Sequence, residues 1–204
     1  MSLGAVESGR GGFVQDATGG IALYLDAVVV DAWPAGTTVR VDGEVASRFG
    51  QRTLRIAESH LLRGSGVGLP SALPIDTGAA GESFEGSRLA VSGTVTASPD
   101  ALTDGLGVTI DDGSGPLRLV IGPAALDGRT IKTGMDVSAA GPLGQRDSSG
   151  TGIGGYRVHA TLPGELGIIA PAPSPVPSVT PSLKGSLRAM ATALRRARAT
   201  AQAR

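Results

Sequence analysis

The stretch VTIDDGSGPLRLVI, residues 108–121, decides how this chain is read. Apolar and polar residues alternate on either side of a short run of Asp, Gly and Ser, the pattern of two half-buried strands joined by a tight turn. FVQDATGGIALYL, residues 13–25, has the same rhythm. Each carries an acid, a small polar residue and Gly at the turn. The pair is therefore either a repeated acidic site or a repeated piece of architecture. A calcium loop needs several spaced oxygen ligands and a Glu about six residues beyond its Gly, and position 119 is Leu. Asp111 to Gly115 and Asp16 to Gly20 read better as hairpin turns, in which Asp accepts from backbone N–H groups and Gly takes positive φ.

Working outward, the first hairpin is followed by GTTVRVDGEV (36–45), a polar turn ASRFGQR (46–52) and TLRI (53–56). The second is followed by GMDVSAAGPLGQRD (134–147) and YRV (156–158). Both halves run hairpin, spacer, Gly-led strand, loop, short strand, and an internal repeat outweighs either copy alone. Val39, Val41 and Val45 alternate with polar residues, and Gly43 reads as a bulge or bend. Gly50-Gln51-Arg52 aligns with Gly144-Gln145-Arg146. The second copy has an extra leading strand, SRLAVSGTVTAS (87–98), with Leu89, Val91 and Val95 inward. The first copy has no counterpart ahead of Phe13, so it reads as a module missing its first strand: either the chain begins inside a longer protein, or a partner or the linker supplies that strand.

The 204 residues include 32 Gly and no Cys. Gly between short Val, Ile, Leu and Thr runs points to an all-β protein, and the lack of Cys excludes disulfides and thiolate chemistry. No apolar run is long enough to span a membrane as a helix, and no signal peptide is visible at the N-terminus. The formal net charge of zero hides an asymmetry: residues 1–170 hold 12 Arg+Lys against 18 Asp+Glu, a balance of −6, whereas 171–204 hold 6 Arg+Lys and no acid. Residues 59–82 read as an extended connector, 171–181 as a Pro/Ser linker, and Leu183, Leu187, Met190 and Leu194 place an apolar stripe on a short basic helix.

Strand, hairpin, spacer, Gly-led strand, loop, strand is the order of the OB-fold, a five-stranded Greek-key barrel. GGFVQDATGGIALYL, GTTVRVDGEV, EGSRLAVSGTVTAS and VTIDDGSGPLRLVI resemble the tandem OB-fold modules of bacterial secreted and surface proteins, which often neighbour lamin-tail-like or nuclease domains. The resemblance covers roughly residues 11–169. It implies two OB-like barrels in tandem, the first lacking its first strand. The expected partition is module 1 at 1–66, connector at 67–83, module 2 at 84–169, linker at 170–181 and a basic helix at 182–204. The resemblance also implies single-stranded nucleic acid as a ligand, taken up on the face of strands 2 and 3 and the loop between strands 4 and 5. Phe13, Gln15, Tyr24, Arg48, Phe49 and Arg52 offer stacking and phosphate contacts there in the first copy. Arg118, Gln145, Arg146 and Arg157 do so in the second. Against this stand the acidic balance and only six aromatics, and Phe13 and Tyr24 read equally as barrel filling.

The rival reading is a structural or protein-interaction spacer within a larger exported or surface protein, with an unpaired sheet edge that another chain completes. The basic tail suits an anionic surface or a solvated end. His60 and His159 are the only histidines, and nothing nearby in sequence completes a metal set or a nucleophile–base pair. The sequence therefore reads as non-enzymatic and without a cofactor.

Overall fold

The computed structural model describes residues 9–28, 33–57, 61–103 and 105–169. The described residues all belong to one compact unit. The expected linker, the basic helix and His60 lie outside the described residues.

Fourteen strands are described: β1 (Gly11–Gln15), β2 (Gly20–Leu25), β3 (Thr37–Val41), β4 (Glu44–Arg48), β5 (Gln51–Ile56), β6 (Leu61–Gly66), β7 (Leu73–Pro74), β8 (Arg88–Val95), β9 (Asp100–Leu102), β10 (Gly105–Asp111), β11 (Leu117–Ile121), β12 (Asp136–Gln145), β13 (Tyr156–Ala160) and β14 (Leu166–Ile169). One short α-helix, α1 (Pro123–Leu126), follows β11, and two 3-10 turns, Thr77–Ala79 and Glu82–Phe84, precede β8. Pro at its first turn needs no N–H donor there, and Asp127 ends it in the left-handed region at φ 50°.

β8, β10, β11, β13 and β12 close into a barrel. β10 pairs antiparallel with β8 and β11, β11 runs parallel to β13, and β12 joins β13 to β8. With α1 between the third and fourth strands, this is an OB-like barrel. Period-two alternation builds its core. Leu89, Val91 and Val95 of β8 meet Val108, Ile110, Leu117, Leu119, Ile121, Val137, Leu143 and Val158, all nearly inaccessible. Ala125 of α1 and Ile131 join the same cluster.

The other sheet has the order β1-β2-β5-β4, with β1–β2 and β4–β5 antiparallel and β2–β5 parallel. These are the pairings that β10, β11, β13 and β12 make. β3 pairs separately with β6, as the first half of β12 pairs with β14. The ten-residue β12 thus has two counterparts, broken at Asp42-Gly43. Gly43 and Gly141 mark the shared bend. A Cβ at Gly43 would meet the Arg55 carbonyl oxygen at 2.3 Å, and one at Gly141 the His159 carbonyl oxygen at 2.0 Å. Beyond the break the strand turns outward, and Val45 is exposed rather than inward.

The strand register corrects the Gly-Gln-Arg alignment. Gln51 opens β5, opposite Arg48, whereas Gln145 closes β12, opposite Tyr156. Counted from the shared glycines Gly43 and Gly141, the corresponding residues are Arg48 and Arg146.

Both turns are built as their residues suggest. Asp16 accepts from the Thr18 and Gly19 N–H groups. Asp111 accepts from Gly113 and Gly115, and Asp112 from Ser114 and Thr77. These bonds hold the Asp16 and Asp112 carboxyls below the usual carboxylate range, with the side-chain bonds from Thr18 and Ser114 contributing most.

Candidate nucleic-acid interface

The outward side chains of β1, β2 and β5 face the barrel's β11, β13 and β12. Parity decides this. Ile21, Leu23, Leu54 and Ile56 gather in the first sheet's own core, so Phe13, Ala22, Tyr24 and Thr53 point the other way. Phe13 is 9% exposed and lies against His159, ring centroids 5.6 Å apart. The two halves come very close here. A Cβ at Gly20 would meet the Gly86 carbonyl oxygen at 2.2 Å, and Gly86 itself has φ 80°. The Gln15 side chain accepts from the Arg88 N–H at 2.8 Å, and that of Gln51 from the Gln145 N–H at 3.1 Å.

Between these surfaces is a cavity of about 380 Å³. Its walls include Phe13, Tyr24, Arg48 and Phe49 from the first half and Gln145, Arg146, Arg157 and His159 from the second. Ala101 and Leu102 of β9 and Thr103 beyond it, in the connection between the barrel's first and second strands, also line it, and no described lining residue is a carboxylate. Seven of the ten residues proposed from sequence therefore line one cavity.

The arginines surround aromatic rings. The Arg48 guanidinium carbon sits 4.3 Å from the Tyr24 centroid and 5.7 Å from that of Phe49, and that of Arg146 lies 4.6 Å from the Phe49 centroid. Guanidinium over a ring face is an attractive arrangement. Hydrogen bonds from Arg48 and Arg10 hold the Tyr24 hydroxyl below its ordinary pKa. Phe49 occupies the left-handed region at φ 53°, at the tip of the two-residue turn between β4 and β5. It is 45% exposed, and its carbonyl accepts from the Asp147 N–H at 2.6 Å.

The matching turn in the barrel, between Gln145 and Tyr156, is long. Gln145 is buried, and its amide nitrogen donates to the Gly152 and Gly154 carbonyls. Asp147 accepts from Ser149, Thr151 and Gly152. The Ser149 bonds contribute most to holding its carboxyl below the usual range. Arg157 donates to the Gly155 and Arg146 carbonyls. Burial, then the charges of Arg146 and Arg118, lower its pKa, a change that leaves a guanidinium charged at neutral pH.

Two lining residues carry buried polar atoms without a protein partner, Gln145 Oε1 and His159 Nδ1. Burial, then the nearby Arg157 charge, pushes the His159 pKa down to about 3, so the ring is neutral at pH 7. Buried polar groups ordinarily find partners, and these two have none among the described residues.

The other three proposed residues are placed elsewhere. Arg52 pairs with Glu82 at 3.3 Å, an exposed pair. Arg118 holds both oxygens of Asp100 at 2.5 and 2.7 Å. Gln15 is engaged with Arg88. Conversely, Arg10 and the 101–103 loop were not singled out from sequence, since neither lies in a periodic or motif context.

No protein-family model matches the chain, and no curated protein matches it. Solved structures that resemble part of it include the S. pombe Stn1-Ten1 complex (18% identity, TM-score 0.32, 41% of this chain and 59% of that one). Others are asparaginyl-tRNA synthetase from Pyrococcus horikoshii complexed with asparaginyl-adenylate (14%, 0.38, 48% and 22%) and an OBody bound to hen egg-white lysozyme (16%, 0.37, 50% and 99%). The chain thus spans 59% of the first and 22% of the second. These likenesses are too slight to assign a function, and the fold rests on the strand order.

Proposed function

We propose that this protein is a non-enzymatic binding protein built from two OB-like modules, the first lacking its first strand, and that the cavity between them holds single-stranded nucleic acid. The observation that carries this reading is a cavity lined by Arg48, Arg146 and Arg157, with an exposed Phe49 between two of them and no described carboxylate. Guanidinium groups suit phosphates, and Phe49 and Tyr24 suit base stacking. Asp100 and Glu82, which would oppose a polyanion, are paired with Arg118 and Arg52 outside the cavity, so the overall acidic balance of residues 1–170 is not the local one.

The test is fluorescence anisotropy of the full chain with a labelled oligothymidine at several salt concentrations. Three phosphate contacts give a slope of about −2 in log K against log salt. Phe49→Ala should weaken binding by about 5- to 150-fold, the range for loss of one stacked base. Arg48→Ala and Arg146→Ala should each weaken binding and flatten the slope, whereas Arg52→Ala and Arg118→Ala should do neither. No binding at low salt overturns the reading. Binding lost only on removal of residues 182–204 transfers it to the tail.

A second reading, a protein-interaction module of a larger exported or surface protein, is favoured by the open side of the first sheet.

A further inference from the structure

We propose that the gap between β1 and β3 is a slot for a β-strand donated by another polypeptide, an extended segment with apolar side chains at alternate positions. This goes beyond the arginine cavity and stands independently of it.

The barrel supplies the template. There β8 pairs with β12 from Asp136 to Pro142 and with β10 at Ile110 and Asp111, bridging the two. Its inward residues are Leu89, Val91 and Val95. Gly93 passes close to β10, where a Cβ would lie 2.8 Å from the Asp111 carbonyl carbon. In the first sheet β1 stands where β10 does, and β3 where the first half of β12 does. Among the described residues β1 pairs only with β2, and β3 only with β6. Between the open edges is a cavity of about 970 Å³, walled by Val14, Ile21, Leu23, Trp33, Val39 and Val41. Of these only Leu23 is fully buried, so among the described residues this apolar surface is incompletely covered, although Val67, Leu69, Pro70 and Pro142 also border the cavity.

The occupant is a polypeptide because two facing backbone edges require N–H and C=O groups on both sides, which only an extended chain supplies along its length. Every described strand of this chain already has its place in a sheet. A second copy's β8 is committed to its own barrel. A donor that fits carries the β8 pattern, Leu-x-Val-x-Gly-x-Val.

The experiment uses the full chain and a synthetic peptide of residues 87–96, SRLAVSGTVT, read by hydrogen exchange, thermal melting and mass. The expected result is saturable one-to-one binding, slower exchange over residues 11–15 and 37–41, and a raised Tm. A peptide carrying Leu89→Lys and Val91→Lys should show none of these. Three results would overturn the proposal. One is protection of both edges in the peptide-free monomer, meaning the chain fills its own slot. Another is protection that rises with protein concentration alongside a dimer. The last is absence of peptide binding at millimolar concentration.

Discussion

His159 shows how one residue's environment sets a measurable property. In the unfolded chain an imidazole titrates near pH 6.5, and in the folded chain burial moves it down to about 3. Between those values the unfolded state binds a proton that the folded state does not, so stability falls as pH falls, by at most about 1.4 kcal/mol per pH unit. Asp112 and Asp147 act in a lower window. Their folded values are depressed, so their contribution is present above the unfolded carboxylate pKa and lost only as pH drops below it. Urea unfolding at pH 7 and pH 5 should show a loss for the wild type that is smaller in His159→Gln. An equal loss in both would mean that the ring is not held neutral. The residue types at the site were legible in sequence, since aromatic and Arg side chains cluster around the short turn at Phe49. Which of them converge was not. Arg52 and Arg118 are spent on Glu82 and Asp100, and those acids are distant in sequence.

At the scale of elements, alternation identified the hairpins and the inward residues of β8. The two acidic turns are explained by bonds from their own backbone. What misled was a three-residue identity. Gly-Gln-Arg recurs, but the turn between the fourth and fifth strands differs in length in the two halves, so the match crosses from one strand to the next. The Gly43 and Gly141 bends are the better ruler, because each sits where its partner strand's carbonyl leaves no space for Cβ. The contact between the halves has the same character. Gly20→Val should destabilise the protein by about 1–3 kcal/mol, the usual cost of overpacking, because the added carbons meet the Gly86 backbone. A chemical melt of this variant, with Gly128→Ala as a control where nothing lies within 4 Å but φ is 68°, separates crowding from backbone strain. Equal losses would show that crowding at Gly20 is relieved.

For the whole molecule, the decisive fact is the inequality of the two cores. Among the described residues, the barrel's core cluster holds sixteen buried apolar residues and the first sheet's own cluster three, each with partly buried neighbours. Local stability follows burial. Hydrogen exchange of the isolated protein should therefore find β8, β11 and β12 protected longest and β1 and β3 exchanging early. Uniform protection would contradict the open sheet. Among the described residues β1 pairs only with β2. The docking of the first sheet onto the barrel was not legible in sequence, because it depends on strand parity and on Gly20, Gly86 and Gly144, whose lack of a side chain gives no hydrophobic signal.

β1 is a wall one strand thick. Val14 faces the open groove, Phe13 faces His159, and Phe13 and Leu23 border both cavities. Whatever settles on one side of this strand fixes the backbone that shapes the other. If the two occupants sense each other at all, thermodynamics requires the effect to be mutual, each altering the other's affinity by the same factor. The strand thus joins the two sites as a single balance, and measuring oligonucleotide affinity with and without the peptide would weigh it.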